Sequence, residues 1–177
     1  MKKSKLAVTL MLVALVAVPV ALAQDKKPLS PPATAETSIG AAKLRVDYSA
    51  PSMRGRTIMG ELVPFDKVWR TGANAATTFT TEANLKLGDL VVPKGTYTLF
   101  TVPGKESWKL VVNKQNGQWG TRYDEAQDLG RVPMSVRKLG EPVETFLIVI
   151  EPKGQNAGVL KLTWETTEVS VPISVQP

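Results

Sequence analysis

Downstream of residue 35 the chain alternates apolar and polar positions with a period of two, segment after segment. In "KLRVDYS", Leu44, Val46 and Tyr48 share one face while Lys43, Arg45 and Asp47 share the other, the mark of a half-buried strand. "ATTFTTE" centres Phe79 among β-favouring threonines. "ANLKLGDLVV" predicts two short strands turning at Gly88-Asp89, and "PKG" at residues 93–95 turns the chain into "TYTLFTV". "SWKLVVN" places Trp108, Leu110 and Val112 together. "RVPMSVRKL" sends Val132, Met134 and Val136 inward and Arg131, Ser135 and Arg137 outward. "ETFLIVIEP" is apolar on both faces from Phe146 to Ile150, which predicts a central strand. "GVLKLTWETTEVSVPISV" predicts a closing hairpin, with Leu160, Leu162 and Trp164 on one arm and Val169, Val171, Ile173 and Val175 on the other. Pro172 there marks an edge or a bulge.

About ten short strands result, and no segment keeps a helical period long enough to cover a sheet. "RYDEAQDLG" has room for one helical turn. The pattern predicts an all-β fold: an antiparallel β-sandwich of jelly-roll or immunoglobulin-like type, with a closed β-barrel as the alternative.

The N-terminus breaks this pattern. Lys2, Lys3 and Lys5 precede an apolar run over residues 6–18, Pro19 interrupts it, and "ALA" at residues 21–23 supplies a small-residue cleavage site. Residues 1–23 therefore read as a signal peptide, and the chain is expected to be exported, periplasmic or extracellular. The competing reading is an uncleaved anchor, since residues 6–23 reach the lower limit of a membrane span. Residues 24–35, rich in Pro, Lys and small residues, read as a flexible lead, and residues 36–177 as a single domain.

Charge changes the picture little. The formal +6 includes the three lysines of the signal segment; removing them leaves 19 basic against 16 acidic residues, a balance of +3. The basic residues are scattered, so no nucleic acid is expected. Two absences narrow the chemistry further. Without cysteine there is no disulfide, thiol nucleophile, thiolate metal site or acylated lipoprotein cysteine. Without histidine there is no Ser-His-Asp triad and no His-ligated zinc. No cofactor and no metal are expected.

Three stretches remain as candidates. "SMRGRTIMGELVPFDKVWRTGAN", residues 52–74, has little strand character and places Arg54, Arg56, Trp69, Arg70 and Asn74 within reach of one another. Arginine forks match carboxylate, sulfate or phosphate oxygens, an indole offers a flat face to a sugar or cation, and an amide both donates and accepts. On the structural reading Trp69 anchors the loop in the core, Arg70 pairs with Asp47 or Asp66, and Gly72 permits a turn. "QWGTRYDEAQD", residues 118–128, brings Trp119 beside Asp124, Glu125 and Asp128. Paired carboxylates serve glycosidic acid-base chemistry or bind calcium, but the spacing matches no calcium loop and a solvated acidic loop explains it. Serine and threonine are plentiful, yet no G-x-S-x-G elbow or S-x-x-K activates one in the mature domain.

Taken in order, "VDYSAPSMRGRTIMGELVPFDKVWRTGANAATTF", "LVVPKGTYTLFTVPGKESWKLVVNK", "QWG" and "LKLTWETTEVSVPI" resemble a bacterial exported family known as domain of unknown function 2911, DUF2911. The resemblance runs from about Ala35 to Val175. Its recurring positions fall on Gly55-Arg56, Val68 to Asn74, Gly95 to Phe100 and Trp164 to Pro172. It implies a secreted or periplasmic protein, frequently the sole domain after a signal peptide, and brings no catalytic residue with it.

The favoured expectation is a non-catalytic exported protein that binds a small anion, a carbohydrate or an envelope partner. The candidate contacts are Arg54, Arg56, Trp69, Arg70, Asn74 and Trp119. Two alternatives stay open. One is a hydrolase or lyase working on a sugar or ester through carboxylates among Asp66, Asp124, Glu125 and Asp128. The other is a structural envelope component recognised through a strand edge or apolar patch.

Overall fold

A computed structural model describes residues 28–176; the stretch read as a signal peptide lies outside them. In chain order the strands are β1 (Pro32–Ile39), β2 (Ala42–Ser49), β3 (Thr77–Thr81), β4 (Leu85–Leu87) and β5 (Leu90–Val92). They continue with β6 (Gly95–Val102), β7 (Trp108–Asn113), β8 (Asp128–Pro152) and β9 (Ala157–Val175), with one 3-10 turn at Glu125–Gln127. Among the described residues no helix is long and apolar enough to cross a membrane.

The nine strands form one antiparallel sheet in the order β1-β2-β3-β6-β7-β8-β9-β4-β5. Its ends, β1 and β5, do not pair, so it is not closed into a barrel; it folds over on itself like a sandwich. The fold-over runs through β8, which pairs with β7 as far as Met134 and with β9 from Ser135 onward. Val46, Phe79, Leu99 and Leu110 from the first half then bury themselves against Ile148, Leu160, Leu162 and Val171 from the second. Alternation decides which residues go in. Leu44, Val46 and Tyr48 are buried, and on the wet face Arg45 forks onto Asp47 and Glu36. Gly88, at φ +55°, turns β4 into β5 as the sequence predicts.

Three local expectations give way. The C-terminal segment is a single 19-residue strand rather than a hairpin. "ETTE" has no Gly, Pro, Asn or Asp with which to reverse a chain, so β9 bends at Glu165 instead and keeps pairing with β8 on both sides. Pro172 sits where β9 passes from its ladder with β8 to its ladder with β4, at a place that needs no amide donor. The run from Phe146 to Ile150 is not central: it pairs with β9 alone, and Leu147 and Val149 are exposed on the outer face. Val136, expected inward, is 38% exposed, because β8 leaves the first half of the sheet after Met134. In addition, β1 begins at Pro32, inside the stretch read as a lead.

The bend is where the long loop is taken in. β8 runs from Lys138 to Leu147 while β9 runs only from Thr167 to Thr163, so β8 swings outward. Its freed backbone pairs with the loop. The Met53 amide donates to the Glu144 carbonyl and the Phe146 amide to the Pro51 carbonyl, both at 2.8 Å. Opposite the swing, Glu165 holds φ +52°, a conformation unfavourable for a residue with a Cβ. Its carboxylate accepts the amides of Ile58 and Met59, each at 3.2 Å, which ties the loop to the bend.

Glu165→Ala leaves those two amides without an acceptor, and the expected loss is about 1–3 kcal/mol. Urea unfolding midpoints measure it, with Glu165→Gln falling between the two. An alanine variant as stable as the parent would show that the carboxylate does not hold the loop.

Candidate functional site

The loop over residues 50–76 is positioned by one side chain, Trp69. Its ring stacks on Trp164 with centroids 5.8 Å apart and planes 19° apart, and it meets Phe146 edge-on at 5.1 Å and Trp108 at 6.5 Å. Its backbone exchanges two hydrogen bonds with Thr101 of β6, at 2.8 and 2.9 Å. The structural reading of Trp69 therefore holds. The gap left among these aromatic rings measures only about 10 Å3, a packing space rather than a ligand site.

The turn after Trp69 is built for close approach. Thr71 (φ +55°) is fully buried, and its carbonyl accepts the Thr77 hydroxyl at 2.7 Å. Gly72 has φ +152°, and a Cβ there would come within 3.0 Å of the Ser49 carbonyl, so only glycine fits without displacement. Ala73 donates to that same carbonyl, and Asn74 (φ +58°) reaches the Ser49 hydroxyl at 3.4 Å. The turn thereby docks on the end of β2.

With Trp69 turned inward, Arg70 lies against the other side of the loop. Its aliphatic stem runs beneath Gly120, where an added Cβ would meet Arg70 Cδ at 2.1 Å. Its Nε is buried and has no hydrogen-bond partner, and no carboxylate forms an ion pair with it among the described residues. Neither Asp47, which is occupied by Arg45 and Thr34, nor Asp66 pairs with it. Arg70 lines a cavity of about 190 Å3 together with Arg56, Trp69, Ser30, Leu62 and Val63, and no Asp or Glu stands in its wall.

The other candidates are placed as follows. Arg56 lines the cavity, although its guanidinium donates to the carbonyls of Met53 and Ser52 at 2.9 and 2.8 Å. Arg54 does not line it: its guanidinium donates to the Leu29 carbonyl, and its amide to the Glu144 carboxylate at 2.9 Å. Asn74 is exposed and engaged with Ser49. Trp119 is 55% exposed and bridges Ala75 beside a second hollow of about 200 Å3, lined by Asp47, Tyr48, Ser49, Ala75, Ala76 and Thr78. The structure thus gathers Arg56, Trp69 and Arg70 and leaves Arg54, Asn74 and Trp119 outside their cavity. Ser30, Leu62 and Trp164 join it through the fold alone, with no signal in the sequence.

None of the carboxylates considered for catalysis, Asp66, Asp124, Glu125 and Asp128, lines any of these three hollows. Asp124 caps the 3-10 turn by accepting the Ala126 amide. Asp128 accepts the Tyr123 hydroxyl at 2.7 Å and Arg131 Nε at 3.0 Å, while Glu125 accepts Arg131 at 2.7 Å. Burial of its phenol, followed by the Asp128 carboxylate, pushes Tyr123 up to about 12; the Arg131 guanidinium acts in the opposite sense.

The sequence profile of a family described only as proteins of unknown function, DUF2911, matches residues 30–173. The chain belongs to that family. No curated protein and no solved structure matches it. The DUF2911 match takes in β1 to β8, β9 as far as Ile173, and every residue of the Arg70 cavity.

Tyr123, raised above its ordinary value of 10, contributes stability that is complete below pH 10 and lost as pH rises through about 12. Tyr123→Phe in this DUF2911 protein is expected to lack that decline. Unfolding midpoints of both proteins across pH 9–12 measure the difference, and parallel curves would show that Tyr123 has an ordinary pKa.

Proposed function

We propose that this protein is an exported, non-catalytic binding protein that takes a small organic anion in the Arg70 cavity. The observation that carries this reading is Arg70 itself: a guanidinium with a buried, unpartnered Nε in a wall without carboxylates. Leaving a buried donor of a charged group without an acceptor costs about 1–3 kcal/mol unless an acceptor compensates. A bound carboxylate, sulfate or phosphate supplies that compensation, and the planar fork matches its oxygens. Arg56 adds a second positive charge, and Leu62, Val63 and the Trp69 ring favour an anion with an apolar body. The polar side chains in the wall are two arginines and a serine. That set binds and orients, and it contains neither a general base nor an activated nucleophile. Export rests on the basic, apolar and Ala-x-Ala pattern of residues 1–23.

A thermal-shift panel of small carboxylates, sulfate and phosphate tests the proposal. A cavity ligand at 100 times its Kd stabilises the fold by about 2.7 kcal/mol, and Arg70→Gln is expected to abolish that gain. Without ligand, Arg70→Met is expected to match or exceed the parent in stability, because it removes a buried Nε donor that lacks a protein acceptor. A loss above about 2 kcal/mol in Arg70→Met would mark a structural arginine and sink the reading.

A further inference from the structure

The turn that covers Arg70 also presents Trp119, and it does so from a fixed backbone. The Ala76 amide donates to the Gln118 carbonyl at 3.2 Å and the Gly120 amide to the Asn74 carbonyl at 3.1 Å, so both neighbours of Trp119 are held. Gln118 turns inward, and its amide donates to the Thr98 hydroxyl at 3.2 Å. Gly120 turns inward over the Arg70 stem. Between them Trp119 faces out, 55% exposed, whereas Trp108 and Trp164 are buried and Trp69 is half-buried. No aromatic ring packs on it among the described residues. Exposing a rigidly held indole gains nothing for the fold, since its apolar faces stay in water.

Trp119 is paired directly with Ala75, and paired residues of an antiparallel bridge share a face. Ala75 lines the second hollow, and Trp119, which is not itself in the wall, is its bridge partner. The hollow's polar side chains are the Ser49 and Thr78 hydroxyls, the Tyr48 phenol and the Asp47 carboxylate, which already accepts from Arg45 and Thr34; the hydroxyls suit a rim of sugar hydroxyls. A flat apolar platform beside such groups fits a sugar ring, which has an apolar C–H face and a hydroxyl edge.

The two hollows adjoin neighbouring stretches of the same backbone, although no residue lines both. Pro51, Gly72 and Ala73 line the Arg70 cavity, and Ser49, Ala75 and Ala76 line the second hollow, so both flank the same two backbone segments. Arg70 lines one hollow, and its stem lies under the turn that carries Trp119. We propose that they are neighbouring subsites of one cleft for an acidic saccharide, with a sugar carboxylate on Arg70 and an adjoining ring stacked on Trp119. This inference rests on the anion reading of the Arg70 cavity and names the class of its ligand.

Calorimetric titration of the purified protein tests it, with galacturonate and mannuronate as monomers and as trimers, and with maltotriose as a neutral control. The acidic trimers are expected to bind at least about tenfold more tightly than their monomers, equivalent to about 1.4 kcal/mol. Trp119→Ala is expected to erase that gain while leaving monomer affinity unchanged, and Arg70→Gln to lose both. Trp119 is the most exposed of the four tryptophans, so trimer binding also shifts the tryptophan emission to shorter wavelength in the parent and not in Trp119→Ala. Arg70-dependent monomer binding without a trimer gain, or a gain that survives Trp119→Ala, overturns the saccharide cleft and leaves the anion cavity standing. Maltotriose binding that needs Trp119 but not Arg70 overturns the joint cleft. If no acidic probe binds in an Arg70-dependent way, the cleft and the anion reading fall together.

Discussion

The stacking of Trp69 on Trp164 is the contact on which the rest of the arrangement depends. Trp164 belongs to β9, Phe146 to β8 and Trp108 to β7, so one loop residue is gripped by three strands at the point where the sheet folds over. Aromatic pairs in such geometry contribute about 0.5–1.5 kcal/mol each beyond the burial of their area. The Trp164 indole N–H donates to the Glu144 carbonyl at 3.1 Å, and the Met53 amide donates to the same carbonyl. The ring that receives Trp69 is thus fixed by the backbone that also holds the start of the loop. With Trp69 seated and its backbone bridged to Thr101, the direction of Arg70 is no longer free.

That fixation has a conformational cost, and its distribution is informative. Among the described residues five non-glycine positions have positive φ, and four of them, Arg54, Asp66, Thr71 and Asn74, lie in the same loop. The fifth, Glu165, is the residue whose carboxylate holds that loop. Each such residue costs on the order of 1–3 kcal/mol and persists where its surroundings over-determine it. Here the surroundings are identifiable: the buried Thr71 and Thr77 hydroxyls, the Ser49 carbonyl that no Cβ at position 72 would clear, and the aromatic stack. A loop meant only to connect β2 to β3 needs none of this, since four or five residues span such a gap.

What the sequence reveals depends on whether the controlling interactions are local. The faces of β2, the β4–β5 turn at Gly88 and the all-β class are legible because alternation and turn chemistry act over a few residues. β1 escapes notice because Pro32, Ala33 and Ala35 carry little apolar signal; the strand exists through its ladder with β2, and Ile39 is its one fully buried side chain. The bend at Glu165 is equally invisible, since its cause is the swing of β8 and the amides of Ile58 and Met59, more than a hundred residues away in the chain. At the site the same distinction holds. Arg56, Trp69 and Arg70 are close in sequence and meet in one cavity, whereas Gly120, which seats the Arg70 stem, belongs to a stretch whose sequence drew attention to its tryptophan and carboxylates.

The seven arginines show why Arg70 stands apart from the rest. Arg45, Arg131 and Arg137 are ion-paired on the surface, where such pairs are individually weak but leave no charge uncompensated. Arg54 and Arg56 give their guanidinium protons to loop carbonyls, and Arg122 is exposed to water. Each of the six is satisfied by protein or by solvent. Arg70 alone combines a buried donor with the lack of any protein acceptor, in a cavity whose other charged wall residue is also a cation. The backbone strain gathered in the loop that carries Arg70, with no carboxylate in the cavity wall, is the feature for which the proposed anion accounts. The stem of Arg70 also lies under Gly120, so the proposed acceptor site and the exposed Trp119 indole rest on one supporting side chain.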